Sequence, residues 1–289
     1  MNQETLVGAH VPTRGSLKSS ITYAESIGAE AIQIFGSSPM RWSVTTRSKK
    51  DVDDFKKELA KSKISQVFLH APYLVNLAGS NKSILKKSLV ALKSHLNIAE
   101  RVGAVGIVVH LGSSGKNDIR DKKDVLEQIS GAVNQILKES PGDTFFIMEN
   151  TAGAGATFGI NQNELSAIAD KVKSPRLKVC IDTAHAYGSG ILEYKNSKEV
   201  DKFFDSWEDA MGKNGIAVIH ANDSKVKYLS RKDRHENIGE GHIGIKGFEV
   251  LAKNKKARSV PWVLEVPGFA NNGPDSDNIK IIKKILNNA

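Results

Sequence analysis

The 289-residue chain contains very little cysteine and no long hydrophobic run. Its single cysteine, Cys180, cannot form an internal disulfide, which argues against a disulfide-stabilised secreted fold and favours a reducing compartment. No apolar run approaches the roughly 18 residues that a membrane span needs, and the N-terminus lacks the basic and then apolar pattern of a secretory signal. We therefore expect a cytoplasmic protein that has no membrane as a partner.

Acidic residues are also in deficit. The chain has 41 lysines and arginines against 32 aspartates and glutamates, a net charge of +9 and an isoelectric point near 9.4. Such an excess attracts polyanions, so nucleic acid is the leading class of partner, although a merely lysine-rich surface has the same composition. The hydrophobic fraction of 40% and the charged fraction of 25% are those of an ordinary globular protein, which excludes a disordered or collagen-like chain.

No linker rich in proline, glycine or serine and no low-complexity tract divides the chain. Eight short and nearly continuous apolar runs, typical of strands covered on both faces, begin at Leu6, Ala31, Gln66, Gly106, Thr144, Leu177, Ile216 and Trp262. The segments between them have helical periodicity, for example 85–99, with Ser80 or Asn81 as an N-cap and Gly103 as a stop. This alternation predicts a single α/β domain over residues 1–289, a (β/α)₈ TIM barrel.

Three parts of the chain depart from this simple pattern. The segments 16–30 and 275–288 are only weakly periodic as helices, and a long polar stretch runs from Asp223 to Gly244. Loops of that size in a compact domain are usually functional. We therefore expect the long polar stretch to contribute to a functional site.

Most of the apolar runs end in a side chain that can bind a metal ion. In a (β/α)₈ barrel the carboxyl ends of all strands meet at one face, where the active site lies. A single buried carboxylate there has an ordinary structural explanation, but burying many imidazoles and carboxylates together is costly without a compensating cation. The side chains in question are His70, His110, Glu149, Asp182, His185, His220 and Glu265.

Two further candidates, Asp233 and His235, stand in the long polar stretch, where such a pair is more often an ordinary surface feature. With the strand-end residues they make nine candidate ligands, enough for three ions at the usual three protein ligands each. Mixed imidazole and carboxylate ligation favours zinc, with manganese or iron as alternatives. Two alternatives stay open for His10: it is a hydrogen-bond donor to a metal ligand, or it has no role in the site. His95 and His242 are expected to have structural roles, in packing or at the surface.

With these residues in view, the chain resembles the endonuclease IV family, the metal-dependent apurinic/apyrimidinic endonucleases of DNA base-excision repair. The resemblance runs almost end to end through the ordered blocks GAHVP, FGSSPMRW, HAPYLVNLAG, HLGS, ENTAGAG, CIDTAHAYGSG, HANDSK, DRHENIGEGHIG and LEVPG. It implies a (β/α)₈ fold with DNA-binding loops at the C-terminal face of the strands and three zinc ions per chain. The implied reaction hydrolyses the phosphodiester bond 5′ to an abasic site in double-stranded DNA, leaving a 3′-hydroxyl and a 5′-deoxyribose phosphate.

The resemblance also implies how the nine residues divide among three zinc ions, with manganese able to replace zinc at some sites. The implied sets are His70, His110 and Glu149 for the first ion; Glu149, Asp182, His220 and Glu265 for the second; and His185, Asp233 and His235 for the third. In this scheme a hydroxide activated by the zinc cluster attacks phosphorus directly. Glu149 would fix the spacing of two ions, and Glu265 would orient or deprotonate the attacking water.

DNA recognition in the resembled family uses side chains on the loops after the second and third strands, which enter the minor groove. Tyr73 matches the tyrosine found there. Met40 stands where a basic or polar wedge residue is often found, with Arg41 beside it, so the chain departs from the family's pattern at this position. An apolar side chain can still wedge into a base step. We expect Met40, Arg41 and Tyr73 to contact DNA, and the chain to act as a monomer.

Two other functions remain open at this point. A sugar isomerase or epimerase on the same barrel would use one divalent metal and would leave five of the nine residues without a role. The four residues that such a site would use are Glu149, Asp182, His220 and Glu265. A basic barrel that binds damaged DNA without cutting it would use the ligands for structure alone. Metal content per chain tests the first alternative, and incision of an abasic-site analogue tests the second.

Overall fold

The computed structural model describes residues 4–13, 15–43, 47–140 and 142–289. Within these ranges, eight parallel strands close into a barrel and two very short strands form a separate antiparallel pair. The barrel strands are β1 (Val7–His10), β2 (Ala31–Phe35), β3 (Gln66–His70), β4 (Gly106–Val109), β5 (Phe145–Glu149), β6 (Leu177–Asp182), β7 (Ile216–His220) and β10 (Trp262–Leu264). The separate pair consists of β8 (Asp223–Ser224) and β9 (His235–Glu236).

Helices alternate with the barrel strands. They are α1 (Lys18–Ile27), α2 (Lys49–Leu59), α3 (Lys82–Val102), α4 (Lys122–Glu139), α5 (Gln162–Val172), α6 (Thr183–Ser189), α7 (Ser197–Met211), α8 (Gly244–Ala252), α9 (Lys255–Arg258) and α10 (Ser276–Asn287). Among the described residues, no helix has the length and apolar character needed to span a membrane. Around the barrel the strand order is β1, β10, β7, β6, β5, β4, β3, β2, which confirms the predicted (β/α)₈ fold.

Six barrel strands contribute an apolar side chain to the barrel interior two residues before a polar one. The apolar layer is buried and consists of Phe68, Val108, Ile147, Cys180, Val218 and Val263. Because side chains alternate between the two faces of a strand, the residue two positions further along points into the same interior, nearer the C-terminal mouth. Those residues are His70, His110, Glu149, Asp182, His220 and Glu265.

The helix predicted at 85–99 is α3, and it begins and ends at predicted caps. The side chain of Asn81 accepts hydrogen bonds from the backbone N–H groups of Ser83 and Ile84, two of the donors that a first helical turn leaves free. Gly103 ends the helix with φ 75°, a left-handed conformation that glycine adopts without strain.

The two end segments with weak helical periodicity fold as α1 and α10. The two helices contact each other, and α10 also contacts β1. Their buried apolar side chains include Ile21, Ala24 and Ile27 of α1 and Ile279, Ile282 and Ile285 of α10. Packing against neighbouring elements therefore stabilises both helices.

One buried carboxylate orders the long polar stretch that follows β7. The two oxygens of Asp223 accept hydrogen bonds from five backbone N–H groups, those of Ser224, Gly239, Gly241, Ile243 and Gly244. A Cβ at Gly241 would lie 2.4 Å from Asp223 Oδ1, so this close approach requires glycine. Burial raises the pKa of Asp223 even though these donors lower it. The stretch that contains Asp233 and His235 is therefore held in a defined conformation.

Candidate metal centre

Six of the predicted ligands stand at the C-terminal ends of barrel strands. Four are the last residues of β3, β5, β6 and β7, namely His70, Glu149, Asp182 and His220, and two directly follow β4 and β10, namely His110 and Glu265. Glu149, Asp182 and His220 are fully buried. The parallel strands of the closed barrel therefore bring these side chains together at its mouth.

The other three predicted ligands come from a short helix and from the long loop. α6 begins directly after β6, and Asp182 Oδ1 accepts a hydrogen bond of 2.7 Å from the backbone N–H of His185. This turn keeps the His185 side chain at the mouth, with only 2% of it exposed. Asp233 is half exposed, and His235 is the first residue of β9. The long polar stretch thus places Asp233 and His235 next to the strand-end residues, on their solvent side.

Glu149 forms a first group with His70 and His110. Its Oε2 atom lies 3.0 Å from His110 Nε2 and 3.4 Å from His70 Nε2. The ligand atoms of the three residues all lie within 4.8 Å of one another, close enough to hold one ion. His70 Nδ1 lies 2.7 Å from the backbone carbonyl of Ala71, so a proton on Nδ1 leaves the lone pair on Nε2.

A second group forms around His220, on the other oxygen of Glu149. His220 Nδ1 lies 3.0 Å from Glu149 Oε1 and 3.3 Å from Glu265 Oε2. Asp182 Oδ2 lies 4.0 Å from the same nitrogen, and the ligand atoms of all four residues lie within 4.8 Å of one another. Glu149 thus offers one oxygen to each of two groups, as a bridging ligand does.

The third predicted set also comes together. His185 Nε2 lies 3.2 Å, and His235 Nε2 3.4 Å, from Asp233 Oδ1. His235 Nε2 is also 3.6 Å from Asp182 Oδ2, and Asp182, His185 and His235 form a group within 4.8 Å. The resemblance to the family implied Asp182 in the second set alone, whereas in the structure it lies between the second and third sets. The other ring nitrogen of His185, Nδ1, lies 2.9 Å from the backbone carbonyl of Asn150.

The carboxylates and imidazoles of this cluster compensate each other's charge. Burial alone would raise the pKa of Glu149, but the nearby imidazoles, first that of His110, hold it well below its usual value. Burial alone would lower the pKa of His185, but Asp182 and Asp233 raise it well above the usual range. Protons on the imidazoles thus supply the positive charge that the carboxylates require. A divalent cation held by the same groups would supply it in their place.

Three buried atoms of the cluster have no hydrogen-bond partner in the part of the chain that the structure describes. They are Glu149 Oε2, His185 Nε2 and His235 Nε2. Buried polar atoms are normally hydrogen-bonded, so such atoms require an explanation. Each is of a type that zinc binds, and a mixed imidazole and carboxylate set suits zinc better than calcium or magnesium, which prefer oxygen ligands. The residues present therefore fit a centre for several metal ions.

Two amide side chains form hydrogen bonds with candidate ligands, and reasoning from the sequence missed both. Gln33 Nε2 donates to Glu265 Oε1 at 2.6 Å, and Gln33 Oε1 lies 2.9 Å from His220 Nε2. Asn222 donates to Asp182 Oδ2 at 2.7 Å and accepts a hydrogen bond of the same length from the backbone N–H of Glu265. One signal for Gln33 was available, since it is the polar residue within the apolar run AIQIF.

The three histidines outside the ligand set each have a defined place. His10 Nδ1 lies 2.9 Å from Glu265 Oε1, so it reaches the site as a partner of a candidate ligand. His95 is fully buried on α3 and packs with its Nε2 atom 3.0 Å from Ser37 Oγ. His242 is exposed in the long loop. Of these three, His10 is the one that contacts a candidate ligand.

The cluster opens into a cavity of about 620 Å³ at the C-terminal mouth. Phe35 and Tyr73 line this cavity with their rings edge to face at 5.4 Å, and Tyr73 is 64% exposed. Met40, on the loop after β2, is 68% exposed, and Arg41 beside it is also exposed. A second cavity of about 650 Å³ lies at the opposite end of the barrel, where Lys253 forms part of the wall. Among the described residues, the metal-capable groups adjoin the first cavity and not the second.

Known proteins of similar sequence and structure extend over almost the whole chain. A family model described as "Xylose isomerase-like TIM barrel" matches residues 21–285. A protein named "Probable endonuclease 4" from Thermosipho melanesiensis is 34% identical over 283 residues, which is 97% of this chain and 98% of that protein. The crystal structure of endonuclease IV from Thermus thermophilus superimposes with a TM-score of 0.84 and 27% identity, covering 98% of this chain and 100% of that one.

The barrel fold alone is shared more widely. A D-tagatose 3-epimerase-like protein superimposes with a TM-score of 0.72 at 20% identity, covering 98% of this chain and 97% of that one. The fold therefore does not separate a nuclease from a sugar-converting enzyme, whereas full-length sequence similarity does. This chain belongs to the endonuclease IV family, the apurinic/apyrimidinic endonucleases of family 2, within the xylose isomerase-like TIM barrels.

Proposed function

We propose that the chain acts in DNA base-excision repair by hydrolysing the phosphodiester bond 5′ to an abasic site, leaving a 3′-hydroxyl and a 5′-deoxyribose phosphate. The observation that carries the proposal is the convergence of nine imidazole and carboxylate side chains, from separate strands and loops, into adjoining groups. Family membership supports a DNA substrate. A net charge of +9 supports a polyanionic partner as well. The chain would act as a monomer in the cytoplasm.

Three zinc ions would occupy the groups at the barrel mouth, with manganese able to replace zinc where carboxylates predominate. The proposed sets are His70, His110 and Glu149; Glu149, Asp182, His220 and Glu265; and His185, Asp233 and His235. When bound, the ions would supply an activated water and neutralise the charge that builds on the phosphate oxygens.

Glu149 and Glu265 have the catalytic roles in this proposal. Glu149 offers Oε2 to one group and Oε1 to the next, so it would fix the spacing of two ions. Burial alone would raise the pKa of Glu265, but neighbouring imidazoles, first that of His220, hold it well below its usual value and keep it ionised. Its Oε1 atom is held by Gln33 and His10, and 15% of the side chain remains exposed. Held in this way, Glu265 can orient a water toward phosphorus and accept its proton.

The loops after β2 and β3 would hold the DNA. Met40 and Tyr73 are large side chains with apolar surface exposed at the same end of the barrel as the metal centre. Apolar side chains at a nucleic-acid interface enter and unstack base steps, and Arg41 is suited to a phosphate contact. An abasic nucleotide has no base to unstack, so its extrusion into the cavity would cost less than that of an ordinary nucleotide.

A single-metal sugar isomerase or epimerase is the second candidate, and metal content tests it. Such an enzyme would need the group around His220 alone and would leave five clustered side chains without a role. Metal analysis of the purified chain should give about three zinc ions per chain, at the usual three ligands each. A content of about one ion per chain would favour the isomerase.

Incision of a duplex oligonucleotide that contains a tetrahydrofuran abasic analogue tests the reaction itself, because this analogue resists β-elimination. We expect a nick directly 5′ to the analogue and a 3′-hydroxyl that a polymerase can extend. The same duplex with an ordinary nucleotide is the control. Binding of the analogue by the metal-loaded chain without a nick would favour a barrel that only binds damaged DNA.

A further inference from the structure

Gln33 connects two candidate ligands from different strands. It lies on β2, is fully buried, and pairs in register with His10 on one side and Phe68 on the other. Its Nε2 atom donates to Glu265 Oε1 at 2.6 Å, and its Oε1 atom lies 2.9 Å from His220 Nε2. A buried amide is costly unless its polar atoms are paired, and both ends of this one are paired with ligand side chains.

The chemistry of these partners determines which way the amide faces. An ionised carboxylate can only accept hydrogen bonds, so the NH₂ group must face Glu265. The amide oxygen then faces His220 and can only accept, so His220 must have its proton on Nε2. Since Nε2 keeps its proton, Nδ1 is the nitrogen that must release a proton to bind an ion, and it lies 3.0 Å from Glu149 Oε1 and 3.3 Å from Glu265 Oε2.

We propose that Gln33 is a positioning residue that sets the tautomer of His220 and the orientation of Glu265 for metal binding. The inference rests on the proposed metal centre and adds to it a residue from a strand that supplies no ligand. Removal of the hydrogen-bond partner of a metal ligand typically lowers metal affinity about 10–100-fold. Because Gln33 contacts two ligands of one group, the second ion should depend on it, and the ion at His70 and His110 should not.

Two substitutions separate the parts of this role. Gln33→Met keeps the length of the side chain but removes both hydrogen bonds, whereas Gln33→Glu keeps an acceptor opposite His220 Nε2. In zinc-loaded protein labelled with ¹⁵N-histidine, the wild type and Gln33→Glu should show His220 protonated on Nε2 and bound through Nδ1. In Gln33→Met, His220 should no longer be found in this one tautomer alone. Competition with a zinc chelator should show one ion of Gln33→Met bound about 10–100-fold more weakly.

Gln128→Met is a matched control, because the hydrogen-bond partners of Gln128 are not candidate metal ligands. Gln128 also uses both ends of its amide, since Nε2 donates to the backbone carbonyls of Leu77 and Gly79 and Oε1 accepts from Arg120. Its replacement should lower the free energy of unfolding but leave the His220 tautomer and every zinc affinity unchanged.

An unchanged His220 tautomer together with unchanged zinc affinities in folded Gln33→Met, checked by circular dichroism, would overturn the proposal. If Gln33→Met does not fold, Gln33→Glu decides the question, since loss of the Nε2-protonated state there would overturn it equally. None of these readouts contains DNA. A chain that binds zinc as expected but leaves abasic duplexes intact would therefore remove the nuclease proposal alone.

Discussion

Two neighbouring layers inside the barrel have opposite chemistry, although the same six strands supply both. The lower layer is apolar and consists of Phe68, Val108, Ile147, Cys180, Val218 and Val263. The upper layer, two residues further along each strand, consists of His70, His110, Glu149, Asp182, His220 and Glu265. The lower layer stabilises the fold through burial alone, whereas the upper layer buries charge and depends on compensation. A stabilising core and an energetically costly site are thus only two residues apart on each of these strands.

The lower layer also affects the chemistry of the upper one. Burial in the lower layer raises the pKa of the Cys180 thiol to about 12, so the side chain stays uncharged beneath the ligands. Because the lower layer is apolar and uncharged, it keeps water away from the ligands on that side. This strengthens the electrostatic interactions among the charged groups of the upper layer. The two layers are therefore expected to respond differently to substitution and to acid.

The largest expected effect comes from changing the charge of the upper layer without changing its shape. Glu265→Gln keeps the size of the side chain but removes the carboxylate that we propose accepts a proton. Turnover on an abasic duplex should fall by about 10²–10⁴-fold, the range for a lost general base, while folding and DNA binding are retained. Turnover is measured by kinetics and DNA affinity by equilibrium binding, both on the same duplex. Glu240→Gln in the long loop is the control. Near-normal incision by Glu265→Gln would remove this residue from the mechanism.

Phe68→Ala tests the lower layer on the same strand as a ligand. Phe68 is fully buried, so its truncation should leave a cavity and lower the free energy of unfolding by about 3–5 kcal/mol. At a temperature where the variant is still folded, zinc content should match the wild type, because His70 keeps its contacts with Glu149 and Ala71. Urea denaturation and metal analysis measure the two effects. Loss of zinc from folded Phe68→Ala would show that Phe68 is also needed to hold the ligands in position.

Acid should weaken metal binding through the upper layer alone. Burial would lower the pKa values of His185 and His110, but carboxylates raise both: Asp182 and Asp233 act on the first and Glu149 on the second. These imidazoles therefore retain protons to higher pH than usual when no metal is bound, and zinc must displace them. Zinc affinity should rise with pH and fall by about tenfold per displaced proton for each pH unit below the imidazole pKa. Chelator competition at several pH values measures this, and a pH-independent affinity would contradict it.

The smallest effect is expected from an exposed side chain on the loop after β2. Met40→Ala should change the free energy of unfolding by no more than about 0.5 kcal/mol, because the side chain is exposed. It should weaken binding of an abasic duplex about fivefold, equivalent to loss of about 1 kcal/mol of apolar contact. Val90→Ala, at an exposed apolar position on α3, is the control. Equal binding by Met40→Ala and Val90→Ala would argue against a DNA contact at Met40.

The fold was largely predictable because its signals are local. A cap residue bonds to backbone groups in its own turn, so Asn81 and Gly103 could be placed at the ends of α3 from the sequence. The helices α1 and α10 gave weaker signals because packing against the barrel stabilises them more than their own periodicity does. Hence the least certain elements were those whose stability comes from distant partners.

The candidate ligands were predictable for a similar reason, since a charged side chain at the end of an apolar strand is unusual wherever it stands. Their detailed arrangement was not. Asp182 lies between two groups, which its position at the end of one strand does not indicate. Gln33 contacts His220 across 187 residues of chain, and only closure of the barrel brings them together. Asn222 joins Asp182 and Glu265 in the same way.

The amino-acid sequence by itself determined that strands alternate with helices and that metal-capable side chains end most of the strands, because residues close together in the chain decide both properties. The tertiary structure alone decided which oxygen of Glu149 faces which imidazole, and which nitrogen of His220 is left to bind an ion. Those distances are measured across the mouth of the barrel. Strand number, tilt and stagger set them, and these are properties of the closed sheet rather than of any single segment.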